Sequence, residues 1–202
     1  MRDQFIKALK TRQNSFSMSL TDVQIERLTN YYDLVREQNE FLNLIAPTTG
    51  EDFAVRHVLE SLTLLEYLPR ETIIADVGTG AGLPSIPCLL VREDLKAALI
   101  ETKEKKAKFL DLAIEFLKIN DRTAVINTQF QEVDLNDSQA ITCRALDKFT
   151  EKLPRLIKWA GKRKIILFGG ENLKTGLQNE KARFTQKLLP LSEQRFLFVV
   201  EH

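Results

Sequence analysis

The sequence predicts an α/β fold: a mostly parallel, doubly wound sheet with an antiparallel strand near the C-terminus, behind a helical N-terminal extension. Three observations carry this expectation. From residue 72 onward, apolar runs of strand length alternate with amphipathic helical stretches, the texture of repeated β-α units with right-handed crossovers. The first of those runs ends in a glycine-rich turn that opens a helix. Residues 1–70, by contrast, read as helical, so we expect an extension over 1–70 and the main domain over 71–202.

The elements follow in order. Thr21-Asp22-Val23-Gln24 fits a capping box, with Leu20 and Ile25 where a hydrophobic staple would stand. Apolar residues then recur at 25, 28, 32 and 35, the helical period. A second helix is expected over about 51–68, with Phe53, Val58, Leu62 and Leu65 inward and Pro69 past its end. Thr72 to Val77 reads as a buried parallel strand, followed by a helix from about 84 and a second strand over Lys96 to Ile100. Residues 103–118 form an amphipathic helix with Phe109, Leu112 and Phe116 on one side. Thr123 to Asn127 and Gln139 to Cys143 supply two more strands, with a helix over about 147–160 and a fifth strand over Lys164 to Phe168. Arg195 to Val200 suits an antiparallel edge strand.

At 202 residues the chain can bury one well-cored domain plus a small extension. Its 44% apolar and 28% charged composition is that of an ordinary soluble protein, and nothing in it approaches the ~18 apolar residues of a membrane span. The N-terminus lacks the pattern of a secretory signal, so a cytoplasmic location is expected. Cys88 and Cys143 lie far apart in apolar segments, as buried reduced thiols do, and only His57 and His202 are available, so no metal site is expected. The net charge of +1 is unevenly spread: between Arg144 and Lys164 there are 8 basic residues against Asp147 and Glu151. Such a stretch can serve a polyanion or simply be a solvated helix face.

The most informative segment is Asp76-Val77-Gly78-Thr79-Gly80-Ala81-Gly82-Leu83-Pro84, at the carboxyl end of the first predicted strand. Open α/β sheets bind ligands there, and glycines let a ligand approach the backbone without meeting a Cβ. Glu101 ends the second strand, 23 residues after Gly78, where a carboxylate can accept both hydroxyls of a nucleoside ribose. A dinucleotide fingerprint would need its third glycine at Leu83, whereas glycine stands at Gly82. The pattern D-x-G-x-G-x-G is similar instead to the first motif of class I methyltransferases, which implies a Rossmann-like fold and S-adenosylmethionine as cofactor. Asp76, Gly78, Thr79, Gly80, Gly82, Leu83 and Glu101 are the candidate cofactor-binding residues, with Asp76 either helping to hold the cationic methionine end or capping the next turn.

Extended outward, the sequence resembles the RsmG family, also called glucose-inhibited division protein B, over roughly residues 35–170. The resemblance runs through Asn43-Leu44, Arg56-His57 with Glu60-Ser61, the glycine segment on to Ile86-Pro87, Leu99-Ile100-Glu101-Thr102 with Lys105 and Lys108-Phe109-Leu110, and Thr142-Cys143-Arg144-Ala145. It implies a methyltransferase acting on guanine N7 in the 530 loop of 16S ribosomal RNA, with the RNA or the small ribosomal subunit as partner. By position it adds Phe130 and Gln131 beside the adenine, and Arg144 beside cofactor or acceptor as the candidate catalytic residue. A monomer is expected. Three positions depart from the family pattern: Thr128 or Gln129 stands for an Arg, Gly169 for a Lys, and Gln38-Asn39 for Trp-Asn.

The chemistry implied is compatible with the residues present. Guanine N7 is a bare acceptor lone pair, so its methylation needs alignment and desolvation more than a general base. The chain offers no convincing activated nucleophile: Cys88 follows Pro87 but sits in the helix after the glycine turn. Nor does the fourth strand end in the Asn/Asp-Pro-Pro-aromatic motif of exocyclic-amine methyltransferases. The competing readings are a methyltransferase with a small-molecule or protein acceptor, marked by turnover without ribosomal RNA, and a non-catalytic SAM- or RNA-binding protein.

Overall fold

The structure, a computed structural model, describes residues 1–135, 137–144 and 149–201. Helix α1 (Arg2–Arg12) leads into α2 (Asp22–Leu42), whose N-terminus is closed by the expected capping box: Thr21 accepts from Gln24 N while the Gln24 side chain accepts from Thr21 N. The second predicted helix is present but not regular. It begins as α3 (Gly50–Asp52), widens into a π-helical segment (Phe53–Leu59), returns to α4 (Glu60–Leu62) and tightens into a 3-10 turn (Thr63–Tyr67). The Glu60 N–H reaches Val55 O, five residues back. Such widenings recur at functional sites.

Strands β1 (Ile73–Val77), β2 (Lys96–Ile100), β3 (Thr123–Ile126), β4 (Ala140–Arg144) and β5 (Lys164–Gly169) are parallel, with helices α5 (Ser85–Val91), α6 (Glu104–Phe116) and α7 (Phe149–Ala160) between them. Helix α8 (Glu171–Asn179), β6 (Arg183–Leu188) and β7 (Phe196–Glu201) complete the chain. The sheet order is β3-β2-β1-β4-β5-β7-β6, so the winding reverses between β1 and β4. That is where an open α/β sheet leaves a crevice beyond its strand ends.

Residues alternate between two cores across this sheet. Ile74, Leu99, Ala140 and Ile166 face a core shared with α2, the Phe53–Leu62 segment, α5 and α6. Ala75, Ile100, Ile141 and Ile165 face the other, shared with α7 and α8. Phe5, Leu28, Tyr31 and Phe53 belong to the first core, so the N-terminal helices pack into the same apolar body as one face of the sheet.

Two expectations are corrected. The C-terminal strand is antiparallel as expected but does not lie at the edge: β7 sits between β5 and β6. Leu197 to Val200 are buried on both faces, as an inner strand requires, while β6 alternates exposed and half-buried residues and takes the edge. In α6, Phe109 is buried but Leu112 and Phe116 are exposed, because Ala107, Leu110, Ala113 and Ile114 form the stripe that meets the sheet.

Candidate active site

The glycine segment leaves β1 in a turn that only glycine makes easily. Gly78, Gly80 and Gly82 all have positive φ, at 67°, 59° and 91°. At Gly82 space forbids a side chain too, since a Cβ would stand 2.2 Å from Ile86 Cδ1. The turn is pinned from both sides: Gly78 N donates to Ile100 O at 2.8 Å, and Leu83 N to Thr79 O at 3.0 Å. Beneath it lies Asp76, fully buried, whose Oδ2 accepts from Thr79 Oγ1 (2.8 Å) and Ser85 N (3.3 Å). Burial pushes its carboxyl up to about 7. Of the two roles expected for Asp76, the capping one is what its contacts express.

Glu101 joins the loops after β1 and β2. Its Oε2 accepts from Gly80 N at 3.1 Å and its Oε1 from Lys103 N at 2.8 Å. The carboxylate therefore stands at the rim of the same turn, 21 residues from Gly80 in sequence. Both border a cleft of about 370 Å³, a size suited to a small ligand. Leu83, Ile100 and Phe130 give it apolar walls, and Phe130 is held edge-on by Trp159 with ring centroids 5.3 Å apart.

The far end of the cleft is cationic. Arg144, at the end of β4, lines it with His57 and Lys152. The Arg144 guanidinium donates to Glu60 Oε2 (3.1 Å), Ser61 Oγ (3.2 Å) and the Arg56 carbonyl, and lies over the Phe168 ring at 5.4 Å. Glu60 is wholly buried, and its Oε1 accepts from Arg195 Nε at 2.7 Å. Burial first, then the positive charges of Arg144, Arg56 and Arg195, push the His57 pKa down to about 3, so this imidazole is neutral near pH 7. Its Nδ1 is buried without a hydrogen-bond partner among the described residues.

Of the residues expected from sequence, Gly78, Thr79, Gly80, Leu83, Glu101, Phe130 and Arg144 border one cleft. Asp76 and Gly82 lie behind the turn rather than on its surface. Gln131 is exposed and off the cleft wall, whereas Gln129 is on it, just before the short 3-10 turn at Phe130–Glu132. Cys88 is buried, and its thiol donates to Ser61 O at 3.3 Å, with burial raising its pKa; it offers no nucleophile to the cleft. Ala145 to Lys148 lie outside the described residues. Sequence reasoning gave no role to Glu60, nor to Leu44, Ile45 and Ala46 on the cleft wall. The pairs Asn43-Leu44 and Glu60-Ser61 within the resemblance were the signal that could have found them. Among the described residues no group of three His, Cys, Asp or Glu could hold a metal ion, and no helix is long and apolar enough to cross a membrane.

The departure from the family pattern at Gly169 has a local explanation. A side chain at Gly169 would put its Cβ 2.6 Å from Leu173 Cδ2, so α8 fills the room a lysine would need. Asn39, which the family pattern shares, accepts from Ile45 N through Oδ1 at 2.8 Å, closing the turn after α2.

The family model of rRNA small subunit methyltransferase G, GidB, matches residues 24–197. The chain belongs to this family. Relatives named ribosomal RNA small subunit methyltransferase G include that of Rickettsia rickettsii, 31% identical over 161 residues, covering 79% of this chain and 82% of the relative. That of Pelotomaculum thermopropionicum is 39% identical over 121 residues, covering 59% of this chain and 51% of the relative, so the match spans about half its length. Among solved structures, a SAM dependent methyltransferase from Aquifex aeolicus is 16% identical with a TM-score of 0.58, covering 73% of this chain and 92% of that one. The mitomycin 7-O-methyltransferase MmcR is 11% identical with a TM-score of 0.62, covering 85% of this chain and 60% of that one. Such distant structural likeness speaks for the fold alone, a Rossmann-like methyltransferase fold. The matched family segment contains the glycine turn, Glu101, Glu60, Arg144 and Arg195.

Proposed function

We propose that this protein transfers the methyl group of S-adenosylmethionine to a guanine N7 in small-subunit ribosomal RNA, in the 530 loop of 16S RNA. The observation that carries the reading is the meeting of the glycine turn and Glu101 on one cleft at the point where the strand order reverses. Family membership supplies the acceptor class.

The residues present fit the cofactor. The cleft combines a turn without side chains, a carboxylate at hydrogen-bonding reach of that turn, and the apolar surfaces of Leu83 and Phe130. Glu101 would take the ribose hydroxyls, while Phe130 would border the adenine, with Gln129 on the cleft wall in place of the expected Gln131. Asp76 would act through the turn that it holds. Bound there, the cofactor supplies an electrophilic sulfonium methyl. The protein's share is then to hold the acceptor in line and keep water away, since N7 carries no proton to remove. The acceptor side is suited to this role. His57 is neutral, and Arg144 offers donors to the base or its phosphate without being able to take a proton.

We also place the protein in the cytoplasm, where the proposed small-subunit ribosomal RNA acceptor is found. The test offers labelled S-adenosylmethionine and undermethylated small subunits, then maps the product by borohydride–aniline cleavage, which reports N7-methylguanosine. Label at one guanosine of the 530 loop is the expected result. Methylation of another acceptor, turnover without ribosomal RNA, or cofactor binding without methylation would each overturn the assignment.

A further inference from the structure

We propose that Glu60 is a positioning residue for the acceptor step, acting through Arg144; this rests on the acceptor reading above. Glu60 follows directly on the π-helical segment Phe53–Leu59 and is 0% exposed. Its two carboxylate oxygens are divided between two arginines far apart in sequence: Oε2 to Arg144 Nη2 at 3.1 Å, Oε1 to Arg195 Nε at 2.7 Å. A buried ionised carboxylate is a poor stability device, because an apolar side chain in its place often serves as well. Two guanidinium groups on one carboxylate leave one net positive charge, and that charge faces the cleft beside the neutral His57.

The geometry fixes the Arg144 head group rather than merely neutralising it. Glu60, Ser61 Oγ and the Arg56 carbonyl, all from the same irregular helical stretch, take N–H groups of one guanidinium, and the Phe168 ring lies beneath it. A guanidinium has five N–H donors in a rigid plane, so three anchored bonds aim the rest. Arg195 enters from the strand end paired with Gly169, since Phe196 is the register partner of that glycine. The position at which the family pattern has a lysine thus adjoins an arginine held by Glu60.

The test compares full-length wild type, Glu60→Gln, Glu60→Asp, Arg144→Gln and the double Glu60→Gln/Arg144→Gln variant on undermethylated subunits. Glu60→Gln is expected to lower kcat about 10- to 100-fold, the cost of a misplaced catalytic contact. Its affinity for S-adenosylmethionine, measured by calorimetry, should stay within about threefold of wild type, because Glu60 does not touch the cofactor end. Glu60→Asp, which keeps the charge on a side chain one carbon shorter, should recover only part of the rate, and the double variant should be no slower than Arg144→Gln alone. A wild-type rate in Glu60→Gln, or two single losses that add in full, would overturn the proposal. If Glu60→Gln does not fold, Ser61→Ala loosens the same guanidinium without unpairing a charge, and an unaltered rate there would overturn it equally. A wild type that leaves subunits unmethylated would instead sink the acceptor reading, and the proposal with it.

Discussion

Glu101 shows how much one side chain can hold. Its carboxylate ties Gly80 N and Lys103 N, and so joins the loops after β1 and β2. As the proposed ribose holder it would also carry much of the cofactor's affinity. Glu101→Ala is therefore expected to weaken S-adenosylmethionine binding by about 1.5–3 kcal/mol, the range for hydrogen bonds to a charged group. Calorimetry decides it, and an unchanged dissociation constant would mean that the sugar is gripped elsewhere. This residue was legible in the sequence because the loop and the next strand end are separated by one β-α unit of ordinary length. For Asp76 the sequence left two roles open, and its bonds to Thr79 and Ser85, made where α5 packs over the turn, express the capping one.

At the scale of elements, α2 reaches the glycine turn directly. The buried Tyr31 hydroxyl donates to Ala81 O at 2.9 Å, and burial raises its pKa, so it remains a phenol donor across the neutral range. Tyr31→Phe leaves that carbonyl without its partner and should cost about 1–3 kcal/mol of stability. It should also weaken S-adenosylmethionine binding several-fold by loosening the turn. Thermal melts with and without cofactor read both effects; a variant that melts and binds like wild type would show that the helical extension does not support the loop. The π-helical stretch is a second element-scale feature. Its apolar period resembles that of a regular helix, and Phe53 at its start packs against Phe5, Tyr32 and His57.

At the scale of the whole molecule, the basic stretch runs along α7 from the cleft, lined by Lys152, to the opposite end of the sheet, where Lys164 opens β5. Lys152 lines the cleft and Arg155 is exposed on the same helix, whose Leu153, Leu156 and Ala160 are buried. Lys148, in the same predicted stripe, lies outside the described residues, and Arg163 is engaged by the Ser138 carbonyl. Under the proposed function, Lys152 and Arg155 would meet phosphates of an RNA whose base enters the cleft. Reversing both charges should weaken RNA binding and flatten the dependence of log K on log salt by up to about 2 units of slope. Titrations at several salt concentrations measure it, and an unchanged slope would assign these residues to a solvated face.

The sequence by itself determined the α/β alternation, the glycine turn, its acidic partner on the next strand and the family, because each is carried by local periodicity or by spacing within one β-α unit. Tertiary structure decided what depends on residues far apart in the chain. It inserted β7 between β5 and β6, since a strand apolar on both faces must be covered on both. It also brought Glu60, Arg144 and Arg195 together, across separations of 84 and 135 residues, because a buried charge is tolerated only where the fold delivers its partners.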